Sequence, residues 1–550
     1  MNENNKTLKS TDAFTVIVHW VLVIALIFSL ATGLRVSADS PDSILAKAVA
    51  GILLQGNVVQ WHVWAAFALL LASVAYAVFM VRARLKSRVV LDKTRLQALS
   101  NQDRNLRWKS INIVLYWVAF ILILVVAITG VMLYFFPGVL PHVTVSKIHN
   151  IVAWSIIAYV VFHIVGQVAY GGFRHLLKIF NPRINYAGAA LVGSVVAVAF
   201  GAGVYALDRL AINTLQVELV STAPKLDGLA DDAAWKRANS VDIPTNHGVN
   251  NAGGEVTVTV KMVRDDTHLY TLFEWPDPTR SQKHLPLQKT AQGWKVMQYE
   301  YHIQDEDDYY EDKFAVMFSR TPAIAGAGTS HYGSKPLENK PGPMGGRGLH
   351  YTTDNSIVDV WHWKSVRTGS PAMNQIDDNY FGPPMEVNPE KKRYTGGYTQ
   401  DPSTGGGYTM NWEKFSPDTI KPLRLPKSPE VLARLGDVNL DPEIGDTGEY
   451  WMDMDMTVEY SEELDTYPVG TVMPSVLIKG PRQGDRGDVQ AYSKWVDGRW
   501  FMEVSRKLKT DSKYDLNFSK EDPLYMWVAV FDHTQTRHSQ HLHPVAVAMK

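Results

Sequence analysis

Cysteine is absent from all 550 residues. Disulfides, cysteine-ligated zinc and iron–sulfur clusters are therefore excluded, and so is covalent haem attachment through a C-x-x-C-H motif. Any redox group has to be held by other side chains, without thioether links. Acidic residues are scarce in the first part of the chain. Residues 1–207 carry 17 Lys and Arg against 6 Asp and Glu, which leaves 37 against 49 in residues 208–550. The net charge of −1 thus hides a basic part at +11 and an acidic part at −12. An acidic domain attracts basic partners and has no use for nucleic acid.

What the first 207 residues do contain is apolar sequence. Five runs, at about 13–34, 57–81, 111–136, 146–170 and 187–207, are each long enough to cross a bilayer as a helix. The first comes after a short polar start with Lys6 and Lys9. Val36-Ser37-Ala38 resembles a signal-peptide cleavage site, but the length of the run and His19 within it favour a retained span. Basic residues gather after the second run, from Arg82 to Lys109, and after the fourth, from Arg174 to Arg183. The segments after the first and third runs offer only Arg35, Lys47 and Lys147. This bias predicts a bacterial inner-membrane protein with a cytoplasmic N-terminus and everything after about Asp208 in the periplasm.

Residues 145–170 carry two histidines, His149 and His163. Their spacing is close to four helical turns, or roughly 21 Å of rise, which puts both on nearly one face and near opposite sides of the membrane. An ionisable residue inside a span is costly and marks function by default. Each of the two asks for a partner at its own depth. His62 in Gln60-Trp61-His62, at the periplasmic end of the second span, matches His149; His19, on the cytoplasmic side of the first, matches His163. The third span has no histidine. Four neutral imidazoles at two matched depths suit two bis-histidine haem b groups in the core of a helix bundle. Histidines that only hydrogen-bond between helices are the plainer alternative. Metal transport is another, but it recruits carboxylates, and spans one to four have none in their interiors.

Thr15-Val16-Ile17-Val18-His19-Trp20, Gln60-Trp61-His62, Lys147-Ile148-His149-Asn150 and Phe162-His163 resemble the prokaryotic cytochrome b561 and hydrogenase-type cytochrome b family over about residues 10–180. The resemblance implies a transmembrane four-helix di-haem bundle that exchanges electrons with membrane quinone, an exchangeable substrate. The fifth run is an addition to that core. Its small residues, Gly193, Gly201 and Gly203 among them, suit close helix packing, and it is expected to tether the remainder of the chain to the membrane.

From about residue 215 the pattern changes to short apolar or alternating segments separated by turns. They lie at 217–219, 256–260, 269–273, 314–318, 358–363, 452–459, 489–495, 499–506, 525–531 and 541–549. Many short strands with sparse helix signal predict an all-β sandwich. Residues 365–450, rich in Gly, Pro and Tyr, read as a long insertion.

The stretch from Leu226-Asp227-Gly228 to Trp235 looks like the start of a family of sandwich domains with carbohydrate-binding and haem-binding members. Further pieces favour the haem branch: Gly342-Pro343-Met344-Gly345-Gly346, Val358-Asp359-Val360-Trp361-His362-Trp363-Lys364, Gly487-Asp488-Val489-Gln490-Ala491 and Asp497-Gly498-Arg499-Trp500. With Phe531-Asp532 and the closing Arg537-His538-Ser539-Gln540-His541-Leu542-His543 they are similar to the haem b subunit of ethylbenzene dehydrogenase, over about 220–550. The resemblance implies a third haem b, held by a mid-domain loop methionine and a second ligand near the C-terminus. Met344 matches the first position. Where the ethylbenzene enzyme has lysine, this chain offers histidines, and a His/Met pair raises the potential. His541 is the first choice, with His543 and His538 behind it, because His541 and His543 share strand parity with Val545 and Val547. The plainer readings are an ordinary loop methionine and a solvated polar terminus. His302, His331, His350 and His362 read as structural or surface residues. The acidic run from Asp305-Glu306-Asp307-Asp308 to Glu311-Asp312 lacks the glycine-turned spacing of a calcium loop. It reads as a solvated face suited to docking a basic redox partner.

Together these readings predict a multidomain cytochrome: residues 1–180 the di-haem membrane domain, 181–214 the fifth helix and linker, 215–550 a periplasmic β-sandwich with the third haem. It would move electrons between the quinone pool and a basic periplasmic electron-transfer protein or oxidoreductase, either as a homodimer or as a subunit of a larger redox complex. No residues resemble a nucleophile, an acid/base pair or a nucleotide loop, so no catalytic residue is expected. Two other readings compete. One is a quinone-linked oxidoreductase acting on superoxide or another small molecule; the other is a di-haem cytochrome whose sandwich binds a sugar or another ligand.

Overall fold

The computed structural model describes residues 11–38, 44–297, 308–343, 347–390, 393–413 and 419–550. Contacts divide the chain into two compact units whose main break falls between Ala211 and Ile212.

In the first unit each apolar run folds as one helix: α1 (Ala13–Ser37), α2 (Val58–Arg82), α3 (Arg104–Phe135), α4 (His142–Gly171) and α5 (Ala187–Leu210). All five are long and apolar enough to cross a membrane. A spanning segment must satisfy its own backbone hydrogen bonds, which is why such runs fold as continuous helices. Capping sets the ends where hydropathy does not. Asp12 accepts the Thr15 N–H at 2.9 Å at the head of α1 and pairs with Arg88 at 2.9 Å. Asp103 accepts the N–H groups of Asn105 and Leu106 and so starts α3 well before its apolar run. Gly172, at φ +67°, ends α4. Helix α1 packs along α2, α3 along α4, and α5 along α2. At Gly193 the approach of α5 to α2 is close: a Cβ there would lie 2.9 Å from the Ala75 carbonyl oxygen.

The second unit is β-rich. Among the described residues its main sheet has twelve strands. These are β1 (Asn213–Leu219), β2 (Ser240–Thr245), β3 (Val256–Arg264), β4 (His268–Pro276), β5 (Lys313–Ser319) and β6 (Val358–Lys364). They continue with β7 (Asp377–Phe381), β8 (Tyr398–Gln400), β9 (Gln490–Val496), β10 (Arg499–Lys507), β11 (Tyr525–Phe531) and β12 (Val545–Met549). The order across the sheet is β8-β7-β6-β5-β11-β12-β1-β3-β4-β10-β9, with β2 beside β3. The pairs β12–β1 and β1–β3 are parallel, and the rest are antiparallel.

The sheet curls, because strands far apart in this order share one core. Phe314 on β5 meets Phe273 and Trp275 on β4 with ring centroids 4.8 Å apart, and Trp363 on β6 lies 5.0 Å from Trp500 on β10. Aromatic pairs of this kind contribute about 0.5–1.5 kcal/mol each beyond their buried area. The motif from Leu226 to Trp235 is pinned to the sheet by one buried acid. Glu503 on β10 accepts the N–H groups of Asp227 and Gly228 at 2.8 and 2.7 Å and the Trp235 indole N–H at 2.8 Å.

Within residues 365–450, whose composition reads as an insertion, β7 and β8 complete one end of the main sheet. Strand β7 is Asp377-Asp378-Asn379-Tyr380-Phe381, too polar to signal a strand by itself. It is stable there because Asp377 is buried against Lys364, Arg482 and Arg486. Burial alone would raise the Asp377 carboxyl; Lys364, Arg486 and Arg482 outweigh it and hold the group well below the usual carboxylate range. The last strand begins at Val545 rather than His541. Gln540 bridges to Asn246 and the chain bends at Leu542 and His543, so strand parity does not run back to the histidines.

Candidate functional site

The first site joins α2 and α4. The rings of His62 and His149 lie with centroids 6.3 Å apart and planes at 75°. Two imidazoles on opposite sides of one metal ion need about this spacing, since each metal–nitrogen bond is roughly 2 Å and the ring half-widths add the remainder. Each ring is oriented from the helix that precedes its own. On α1, Thr32 donates its hydroxyl proton back to the Phe28 carbonyl at 2.7 Å. The Thr32 oxygen and the Ser29 carbonyl then accept from His62 Nδ1, each at 3.1 Å. On α3, Thr129 donates to the Val125 carbonyl at 2.9 Å, and its oxygen accepts from His149 Nδ1 at 2.9 Å. In both cases the network assigns the proton to Nδ1 and leaves the Nε2 lone pair to bind a metal, the arrangement that metal-ligating histidines use.

A glycine comes directly after each of these threonines. A Cβ at Gly33 would stand 3.2 Å from His62 Cε1, and one at Gly130 would stand 3.4 Å from His149 Cε1. The two glycines keep the space beside each imidazole clear, as a flat macrocycle on Nε2 requires. The donor set, the spacing and the cleared space all fit haem b. Hydropathy and histidine spacing do not single out Ser29, Thr32, Gly33, Thr129 or Gly130. The available signal is the Thr-Gly pair that recurs in spans one and three, each time on the helix before a histidine-bearing one.

The second pair is His19 on α1 and His163 on α4. The two interact electrostatically, and His163 Nδ1 is bonded to the Tyr159 hydroxyl at 3.2 Å. The His19 ring sits edge-on to Trp20, 6.2 Å away. The structure therefore brings the His62 and His149 rings together, and it places His19 and His163 within electrostatic reach of each other.

In the β-rich unit the candidates separate. Met344 lies outside the described residues, as does His302. His541 is buried, and both of its ring nitrogens are committed to backbone: Nδ1 donates to the His543 carbonyl at 2.7 Å and Nε2 accepts the Val528 N–H at 2.9 Å. Burial holds its pKa down at about 4, so it is neutral and locked, with no nitrogen available to a metal in this arrangement. His538 is half-buried, its Nδ1 is bonded to the Ser539 carbonyl at 2.9 Å and its ring lies 4.7 Å from Phe531. His543 is half-buried and supplies the carbonyl that orients His541. His331 stacks on Tyr351 at 3.7 Å, His350 on Phe381 at 4.6 Å and His362 on Phe531 at 5.4 Å. The acidic run also divides. Asp305, Glu306 and Asp307 lie outside the described residues, whereas Glu311 and Asp312 are buried. Glu311 pairs with Arg367, and Asp312 accepts the Ser281 N–H at 2.7 Å and the Trp500 indole N–H at 3.2 Å. These two acids are structural anchors and not part of a solvated face.

Comparison with known proteins agrees with this layout. Residues 232–542 match the family model described as ethylbenzene dehydrogenase. The chain belongs to that family. Residues 10–182 match the model of prokaryotic cytochrome b561, which assigns this segment to the membrane b-type cytochromes of electron transfer. The two matches together are the fusion that the motifs imply. No curated protein matches the chain. Among solved structures it is similar to a family 9 carbohydrate-binding module from Caldicellulosiruptor kristjanssonii in complex with cellotriose. That match has 9% identity, a TM-score of 0.20, and covers 61% of this chain and 93% of the other. A putative carbohydrate-binding protein from Bacteroides uniformis matches at 5% identity and TM-score 0.24, covering 62% and 100%. Likenesses this remote carry no conclusion about ligand.

Proposed function

We propose that the chain is a b-type cytochrome of the bacterial inner membrane that carries electrons between the quinone pool and a soluble periplasmic partner through three haem b groups. The reading is carried by the His62–His149 pair, whose 6.3 Å ring separation and Nδ1 anchoring suit two imidazoles that would hold one haem iron. His19 on α1 and His163 on α4 hold the second haem of the pair, at the other depth of the bundle. Residues 1–180 then act as a four-helix di-haem bundle, 181–214 as tether, and 215–550 as a periplasmic domain in which the two halves of the curled sheet form a sandwich. A cytoplasmic N-terminus is part of this reading, supported by the basic segments after the second and fourth spans.

Bound haem supplies reversible one-electron transfer at iron. The chain's own part is to present neutral imidazoles, fix their tautomer through Thr32, Ser29 and Thr129, and keep side chains off the macrocycle at Gly33 and Gly130. For the third haem, Met344 is the family's methionine position and a C-terminal histidine is its partner. His538 is favoured over His541 and His543. Arg347, three residues after Met344, donates to the Thr536 hydroxyl two residues before His538, and the His538 Nδ1 is anchored on a carbonyl. The acidic character of residues 208–550 suits a basic partner, by long-range attraction that salt screens.

The test is electron exchange in proteoliposomes under anaerobic conditions. Quinol should reduce the b-type absorbance, or quinone should reoxidise the reduced protein, and a basic soluble cytochrome should exchange faster at low salt than at high salt. Haem that exchanges with neither quinol nor quinone contradicts the reading.

A further inference from the structure

A group of acids in the β-rich unit stands apart from every haem candidate. Asp378 on β7, Asp401 just past β8 and Asp515 between β10 and β11 each place a carboxylate oxygen within 4.8 Å of the others. All three side chains are buried. A fourth acid, Asp359 on β6, is wholly buried and shares their face of the sheet: Trp361 pairs opposite Asp378, and Asp359 lies two residues from Trp361 along the strand. Asp488, just before β9, interacts with Asp378 and Asp515 at the rim. Among the described residues the cation in this group is Arg506, whose guanidinium reaches Asp359 Oδ2 at 3.2 Å and Asp515 Oδ2 at 3.0 Å. One guanidinium against five carboxylates leaves a large excess of negative charge out of water.

The oxygens also lack donors. Asp359 Oδ1, Asp378 Oδ2, both oxygens of Asp401, Asp488 Oδ1 and Asp515 Oδ1 are buried with no hydrogen-bond partner. The contrast with the adjacent residue is sharp, since Asp377 faces the other way and is matched by Lys364, Arg482 and Arg486. Burying an unpaired carboxylate is expensive, and a folded protein neutralises it with a proton, a cationic side chain or a metal. Burial and mutual repulsion do push Asp378 and Asp401 well up, so without a cation the group would have to take up protons.

We propose that Asp378, Asp401 and Asp515, with Asp359 and Asp488 behind them, bind calcium. The donors are oxygens without histidine or cysteine, which selects a hard cation, and calcium takes about 6–8 oxygen ligands in flexible geometry. Magnesium keeps several waters, which suits a buried carboxylate cluster less. The ion would tie strands β6, β7 and β8 to the segments before β9 and β11, and so brace an end of the sheet whose own sequence is polar. The site does not depend on any haem assignment.

The test uses the full-length protein in detergent, stripped with a chelator and then titrated with calcium. Bound calcium is counted by atomic emission and unfolding is followed by tryptophan fluorescence. Calcium should bind and raise the unfolding temperature, and Asp401→Asn and Asp488→Asn should each lose that bound calcium. The sign of the substitution gives a second readout. In calcium, Asp401→Asn should lower the unfolding temperature; in chelator it should raise it, because it removes a repelling charge. No binding at millimolar calcium overturns the proposal, as does stabilisation by Asp401→Asn in both conditions. Calcium binding that survives both substitutions overturns it as well, by placing the ion elsewhere. Should Asp401→Asn fail to fold, the rim variant Asp488→Asn decides on the same readouts.

Discussion

The hydroxyls of Thr32 and Thr129 each lie between a backbone carbonyl of their own helix and the Nδ1 of a histidine on the next. Replacing either by valine keeps the shape and removes the acceptor. Partners that orient a metal ligand typically contribute about 10–100-fold to metal affinity. Thr129→Val should therefore weaken retention of one haem by about that factor and shift its potential, as read by haem loss to apomyoglobin and by redox titration. Gly33→Leu should do more, because its side chain would meet the His62 ring that a bare Cβ already approaches at 3.2 Å. Loss of one haem with normal helix content is expected by absorbance and circular dichroism.

A different pair of histidines makes the β-rich unit sensitive to acid. His284 is buried and His350 half-buried, and both are neutral: desolvation, with His538 and His331 nearby, pushes His350 down to about 3, and burial with Arg367 nearby pushes His284 well down. Their folded pKa values lie below the unfolded value of about 6.5. Above that pH the two states bind protons equally. As pH falls below it the unfolded chain takes protons that the folded one refuses, so stability falls from about pH 6.5 downward. His350→Leu should flatten that slope in unfolding curves measured between pH 7 and 4.

Elements differ in how much of their origin is local. The five helices are readable because hydropathy alone sets a span, and the approach of His62 to His149 is readable because helix rise converts spacing into depth. The ends are not, since they depend on caps such as Asp103. Strand β7 is hidden for a related reason. Its Asp377 is compatible with a buried strand only through Lys364, Arg482 and Arg486, two of which come from a segment about a hundred residues later. Removing one partner of a buried ion pair costs about 3–5 kcal/mol. Asp377→Asn should destabilise the β-rich unit by an amount of that order in urea unfolding, and hydrogen exchange should localise the loosening to β7 and β8. The expectation for His541 rests on continuing the alternation of β12 backwards, and that alternation stops at Val545, where the chain leaves the sheet. In the membrane unit, Gly193→Val should separate α5 from α2, because the Ala75 carbonyl already stands 2.9 Å from a single Cβ. Unfolding at lower temperature in detergent is the expected result.

For the whole molecule, the family matches assign a membrane b-type cytochrome segment and an ethylbenzene dehydrogenase-family domain to one chain. The split between +11 and −12 in its two parts respects the same division, with basic loops suited to one face of a membrane and an acidic domain suited to a basic partner. The proposed electron path through both halves depends on the number of haems. The haem-to-protein ratio of the purified full-length chain, by pyridine haemochrome absorbance against amino-acid analysis, measures it directly. Three haems per chain are expected, falling to two in His62→Ala and, separately, to two in Met344→Ala. A ratio of two in the unaltered chain, unchanged by Met344→Ala, contradicts the third haem and with it a haem path through the β-rich domain.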